Sequence, residues 1–375
     1  MNQARQLTER LKNELKTVSP VSVSVSILDE AVTQFREDFD ERHGGFGSAP
    51  KFPRPRGSAL LLRCYRRTGE SRTLQMVTRT LDAMAAGGIY DHIGGGFARY
   101  STDERWLVPH FEKMLYDNAL LARTYLEAYQ VTKQASYRQV TTEVIDYILR
   151  EMTDPAGGFS FRDGCGLGRG RRKVFVWTPA EVQAVLQNAE DTRRFCACYD
   201  ITDQGNWEHR SIPNRLRPIE AVAKELNLTL DELYETIHRV RPLLYRARQE
   251  RVPPGLDDKI ITAWNGMMIS AMAEAGRVLG VSRYIAGAMR AADFLLLVHR
   301  TSEGALLRTS RQGRAHLDGV LEDYAYLAEG LIDLYEASGQ ERYLTAALQL
   351  GERMVDSFRD EDHGGSTPPR RRMKR

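Results

Sequence analysis

The feature that most limits the architecture open to this chain is a recurring junction. Five times a helical-looking stretch runs through polar residues into glycine, and in four of the five an apolar or aromatic residue follows. The junctions are ERHGGFG (41–47), AAGGIYDHIGGGF (85–97), DPAGGFSF (154–161), TSEGALLR (301–308) and DHGGS (362–366). Glycine ends a helix by accepting positive φ, and the aromatic after it can plug the turn back onto the core. Between the junctions apolar residues recur at helical spacing with hardly any period-two alternation. The spacing predicts about eleven helices, near 29–40, 57–69, 72–86, 112–132, 135–152, 178–188, 229–250, 258–279, 283–299, 319–337 and 341–358. Tandem helical hairpins are the architecture this implies.

Two kinds of helix alternate. The stretch 258–279 carries Ile260, Ile261, Trp264, Met267, Met268, Ile269, Met272 and Ala275 and has almost no polar face, and 113–130 is apolar on two sides. Such helices must be enclosed on several sides. By contrast 135–152 and 341–358 are amphipathic and suit an outer layer. Buried helices alternating with amphipathic ones predict an all-α fold, an (α/α)6 toroid with an inner ring wrapped by an outer one; a superhelical repeat array is the competitor.

Composition narrows the function classes. In 375 residues, 42% are hydrophobic and 27% charged, and no apolar run approaches the roughly 20 residues of a spanning helix. The N-terminal MNQARQLTERLKNELK lacks the apolar core of a secretory signal, which, with only four cysteines, predicts a cytoplasmic protein and no membrane partner. The net charge of +3 is concentrated in two segments, RDGCGLGRGRRK (162–173) and the tail STPPRRRMKR (366–375), and the rest of the chain is acidic. Neither segment interleaves aromatics on which bases could stack, so no nucleic-acid partner is expected. His43, His92 and His110 lack ligand spacing and Cys196-x-Cys198 is not a zinc or dithiol motif, so neither metal nor cofactor is expected.

Candidate chemistry gathers at the starts of the most enclosed helices, where Glu112, Asp257 with Asp258, and Glu322 with Asp323 precede apolar runs. Carboxylates at helix N-termini also satisfy orphan N–H groups. Their conjunction at one end of a toroid nevertheless fits glycoside chemistry, in which one carboxyl protonates the leaving oxygen and another activates water. The reading takes Asp258 and Asp323 as the carboxylate pair and His110 or Asp117 as proton carrier. The segment GGIYDHIGGGFARYSTDERWLVPHFEKMLYDN (87–118) adds aromatic faces and polar groups suited to a polyhydroxylated ligand. Trp106, Tyr100 and Trp264 are expected as stacking platforms and Arg99 and Asn118 as hydroxyl binders. Lys259, beside two acids, is expected in an ion pair.

GGFGSAPKFPRP, the long segment above with its continuation ALLARTYLEAYQ, DDKIITAWNGMMISA and LEDYAYLAEGLIDLYEAS resemble the helical part of the spermatogenesis-associated protein 20 family, over about 38–365. The resemblance implies a six-hairpin glycosidase-like toroid following a thioredoxin-like domain, and an expectation of carbohydrate metabolism without an assigned reaction. It marks Lys51, Asp91, His92, Arg99, Tyr100, Trp106, His110, Glu112, Lys113, Asp117, Asn118, Asp257, Asp258, Lys259, Trp264, Asn265, Asp323 and Tyr324 as motif positions.

The resemblance breaks in three places. No Cys-x-x-Cys is present, so dithiol redox chemistry is not expected. The basic segment 162–173 stands where the family has an acidic loop, and the tail 366–375 stands where the family continues. The domain expectation is therefore a linker remnant over 1–28, a toroid over 29–365 lacking its last element, and a tail foreign to the family, the two basic segments reading as frame-shift scars. A sugar-like small molecule is the expected partner, acted on by hydrolysis or epimerisation. The alternative is a non-catalytic binding or scaffold module, or an inactive fragment.

Overall fold

Each junction picked out by glycine closes in the same way. In the computed structural model, which describes residues 24–164, 174–251 and 255–359, the bridges Phe39↔Phe46, Tyr90↔Phe97, Thr153↔Phe159 and Arg300↔Leu306 pair the end of an outer helix with the residue that plugs the turn. A second backbone bond locks each bridge: Gly47 N–H to Asp38 O, Ala98 to Ile89, Ser160 to Met152 and Leu307 to His299, all at 2.7–2.8 Å. The chain is thus a repeat at the level of backbone geometry. The fifth junction, most of the basic segment 162–173, the tail 366–375 and most of the expected linker 1–28 lie outside the described residues.

Thirteen helices are present among the described residues: α1 (Ser26–Asp38), α2 (Pro55–Thr68), α3 (Ser71–Ala86), α4 (Leu115–Thr132), α5 (Ala135–Glu151), α6 (Pro179–Leu186), α7 (Ala189–Cys198), α8 (Ile219–Leu226), α9 (Leu230–Gln249), α10 (Thr262–Leu279), α11 (Ser282–Val298), α12 (Leu321–Ser338) and α13 (Glu341–Phe358). Helices α2, α4, α10 and α12 stand side by side as the inner layer, backed by α3, α5, α11 and α13. This is the all-α, two-layered packing of an α/α toroid. The contact between α10 and α12 is the most extensive because glycine lets the backbones meet: a Cβ on Gly266 would lie 2.5 Å from the Tyr326 backbone, and one on Gly330 2.5 Å from Gly266 O.

The count of eleven is corrected in a way that matters for the ring. Helices α6–α9 form a separate cluster around Trp177, Phe195, Tyr199, Val222, Leu233 and Leu244, inserted between α5 and α10. Among the described residues, nine helices therefore belong to the toroid layers. The missed ones, α7 and α8, have 10 and 8 residues, too few turns to display a period. Asn188 caps α7 through the N–H groups of Glu190 and Asp191, and Asn227 ends α8 in the left-handed region.

Six short strands were also not foreseen. β1 (Glu112–Met114), β2 (Arg162–Gly164) and β3 (Gly255–Asp257) make one antiparallel sheet; β4 (Ile260–Ile261), β5 (Leu307–Arg311) and β6 (Arg314–Asp318) make another. Their consequence is a correction to the helix starts: α4 begins at Leu115 and α10 at Thr262, so Glu112 and Asp257 lie on strands. Of the acids expected at helix N-termini, Glu322 and Asp323 occupy the first turn of α12.

Candidate functional site

The first turns of three inner helices are fixed by equivalent clamps. Asn118, fourth residue of α4, accepts from Phe97 N–H (2.7 Å) and donates to Phe97 O (3.0 Å) and Met114 O (2.9 Å). Asn265, fourth residue of α10, makes the same three bonds to Phe159 N–H, Phe159 O and Ile261 O. Tyr324, fourth in α12, accepts from Leu306 N–H at 2.9 Å. Each inner helix is thereby tied to the plug of the preceding junction, so the segments leading into α4, α10 and α12 are held in register. Asn118, Asn265 and Tyr324 spend their polar atoms on backbone, a positioning role in place of the expected contact with a ligand.

A continuous path of polar and aromatic side chains runs across these segments. Phe52 stacks on Tyr100 (centroids 4.6 Å) and Tyr100 on His110 (4.8 Å). His110 Nδ1 is 3.8 Å and Arg99 3.9 Å from the Glu112 carboxylate. Beyond Arg99 lie Tyr116 and Asp117 in the first turn of α4. Tyr116 meets Trp264 edge-on at 4.6 Å, Trp264 stacks on Phe161 at 4.4 Å, and Lys259 sits 5.0 Å from the Phe161 ring centroid. Lys259 closes the path in the expected ion pair, 3.3 Å from Asp257. The structure thus brings together Arg99, Tyr100, His110, Glu112, Asp117, Asp257, Lys259 and Trp264, all candidates from sequence.

Asp117 is the carboxyl on this path that burial perturbs toward neutrality. It is buried at 8% exposure, and its Oδ2 has no hydrogen-bond partner. Burial pushes its carboxyl up to about 7, against the pull of Arg99 and the Tyr116 hydroxyl, with Glu112 nearby adding to the rise. A carboxyl that titrates near neutrality can both give and take a proton at physiological pH.

Other candidates are used elsewhere. Asp323 is fully buried; its Oδ1 accepts from Ala263 N–H (3.1 Å), its Oδ2 from Val320 N–H (2.9 Å), and Arg308 lies 3.4 Å away. Burial raises its pKa despite these partners. Asp258 is paired with Arg311 at 2.6 Å. Both carboxylates of the expected catalytic pair are therefore held by arginines of one strand, β5. Trp106 cannot serve as a stacking platform: it is fully buried, with Nε1 donating to Gly44 O at 3.3 Å. Asp91 forms an enclosed triad with Lys113 (2.8 Å) and Arg248 (2.7 Å); burial opposes its charge, and the two cations overcome it, holding the carboxyl well below its usual range. This triad joins the toroid to α9 of the insert. His92 is buried, its Nε2 is 3.0 Å from Gly87 O, and burial lowers it to about 4.

Phe52, Tyr116 and Phe161 were not singled out. Tyr116 lay in the motif as the residue immediately before Asp117; Phe52 and Phe161 sit in separate segments, and only tertiary packing joins them to the path. No group of acids, histidines and cysteines able to hold a metal occurs among the described residues, and no described helix is long and apolar enough to cross a membrane.

No protein-family model matches the chain. It is 35% identical over 403 residues to spermatogenesis-associated protein 20 of Homo sapiens, a match covering 96% of this chain and 51% of that protein. The chain spans about half the length of the curated relatives it matches. Its fold is similar to a glycoside hydrolase family 76 mannosidase of Bacteroides thetaiotaomicron (TM-score 0.52, 10% identity, 91% of this chain and 75% of that one). It is likewise similar to an inactive alpha-1,6-mannanase of Salegentibacter, with two aspartates replaced, in complex with alpha-1,6-mannotetrose (TM-score 0.50, 12% identity, 84% and 66%). These likenesses show the fold alone, a six-hairpin glycosidase-like α/α toroid.

Proposed function

The chain belongs to the spermatogenesis-associated protein 20 family, and from that premise we propose that it binds a sugar-like ligand along the path from Phe52 to Lys259, with Asp117 as the proton carrier of an acid/base reaction. The observation that carries the reading is Asp117 itself, a buried carboxyl with one unpartnered oxygen and a pKa lifted to about 7, beside Tyr116 and Arg99. Phe52, 46% exposed, and Trp264 supply faces on which a pyranose can stack; Tyr100, expected as a platform, already stacks with both Phe52 and His110. Arg99 and Lys259, both more than 40% exposed, supply donors to hydroxyls. Glu112, within 4 Å of His110 and Arg99, is the second carboxylate. In this assignment Asp258 and Asp323 position β5 and the α12 start instead of reacting. A carboxylate-dependent reaction is in keeping with the mannanase of this fold that is inactive when two aspartates are replaced.

The reaction is hydrolysis or epimerisation, both of which require a group that gives and takes a proton. The test is a panel of oligosaccharides and free sugars screened by calorimetric titration and for product formation, with wild type, Asp117→Asn and Trp264→Ala. Trp264→Ala is expected to weaken binding, and Asp117→Asn to bind but lose turnover by about 10²–10⁴-fold. Binding without turnover by the wild type supports the non-catalytic alternative; binding untouched by Trp264→Ala rejects the site.

A further inference from the structure

Lys51 is fully buried, yet the path described above makes no use of it. Its ammonium donates to Asp40 Oδ2 (2.5 Å), Gly44 O (2.9 Å) and Glu104 O (3.0 Å), so it fastens the turn 40–44 to the loop 103–106. Trp106 Nε1 reinforces the join through the same Gly44 carbonyl. The fastened loops share a tripeptide, Asp-Glu-Arg, at 40–42 and at 103–105. In each, the aspartate side chain accepts from the backbone N–H of the arginine two residues on, at 2.8 Å for Arg42 and 2.6 Å for Arg105. Two arginines are thus presented on backbones locked twice over, by their own aspartates and by a common buried lysine.

Both open onto one groove of about 1010 Å³ against α3, which also carries Arg72, Arg79, Glu41 and Asp82. Arg72 is paired with Glu41, and Arg79 donates to Arg42 O. Arg42 and Arg105 are exposed and have no carboxylate partner among the described residues. Leu216 and Pro218 of the insert give the groove an apolar side. Four arginines face two carboxylates, and like charges held in one groove repel until an anion enters. Planar guanidinium groups match the oxygens of a phosphate in paired hydrogen bonds. We propose that this groove binds a small phosphate-bearing molecule, with Arg42 and Arg105 gripping the phosphate and Lys51 as positioning residue.

The proposal is tested by calorimetric titration of the full chain with sodium pyrophosphate at fixed ionic strength. Saturable binding with a sub-millimolar Kd is expected for the wild type. Arg42→Ala combined with Arg105→Ala should weaken it at least tenfold, while the exposed pair Arg314→Ala and Arg353→Ala should leave it unchanged; circular dichroism confirms folding of each. Titrations with glucose 6-phosphate and with ADP then separate a sugar phosphate from a nucleotide as the source of the group. Absence of saturable binding, or equal weakening by both pairs, overturns the proposal.

Discussion

Replacing Asp117 by Asn is expected to make the protein more stable above neutral pH while it loses its proton carrier. The native carboxyl holds its proton up to about 7, against an ordinary value of 3.8. Between those values the native state binds more protons than the unfolded state, so this group's contribution is complete below 3.8 and is lost as pH rises through 7. A shift of this size corresponds to roughly 4 kcal/mol at 1.36 kcal/mol per pH unit. Asn keeps the volume and never ionises, so the variant escapes that loss. Urea denaturation of both proteins from pH 4.5 to 8.5 should show the stability difference moving in the variant's favour by about 3 kcal/mol, most of it complete by pH 7.5. A difference that stays constant across the range would refute the argument, because it would mean that Asp117 is solvated and ionised like a surface acid. A variant that gains stability and retains turnover would separate the electrostatics from the proposed chemistry.

His299 offers a titration of the opposite sign. It is fully buried, with Nδ1 2.7 Å from Thr262 Oγ1 and Nε2 2.7 Å from Ser310 Oγ, and burial lowers it from 6.5 to about 4. Its contribution is present above pH 6.5 and lost as pH falls through 4; thermal unfolding across that window should show a smaller drop for His299→Gln than for wild type. Gly266→Ala should cost about 1–3 kcal/mol, read by denaturant midpoint, because its Cβ would press on the α12 backbone 2.5 Å away. Asn118→Ala and Asn265→Ala should each cost about 2–4 kcal/mol by the same measurement, since each strands a buried N–H and C=O of the adjacent plug residue.

The layering was legible in the chain because it is a matter of local pattern. Helix α10 is apolar around most of its circumference, which marks it as an inner element, and the glycine junctions at 44–46, 95–97, 157–159 and 304–306 carry the repeat whatever lies between them. The same locality explains what was missed. A strand of three residues such as β1 has no period to detect, and it earns its hydrogen bonds from β2, fifty residues on. For α6–α9 the pattern could show a helix or two but not that their apolar faces meet one another and not the ring.

For the site, sequence by itself determined the inventory and tertiary structure decided the roles. Composition concentrated acids, aromatics and arginines in 87–118, and eight of the chosen residues do lie on one path. Nothing in the order of residues distinguishes Asp117 from Asp323, since both open inner helices. The difference arises only in three dimensions: Ala263 N–H, Val320 N–H and Arg308 reach both oxygens of Asp323, whereas one oxygen of Asp117 is buried with nothing to bond. Whether a carboxylate is a staple or an acid depends on how many donors the rest of the fold points at it, and those donors come from segments that meet only when the chain has folded.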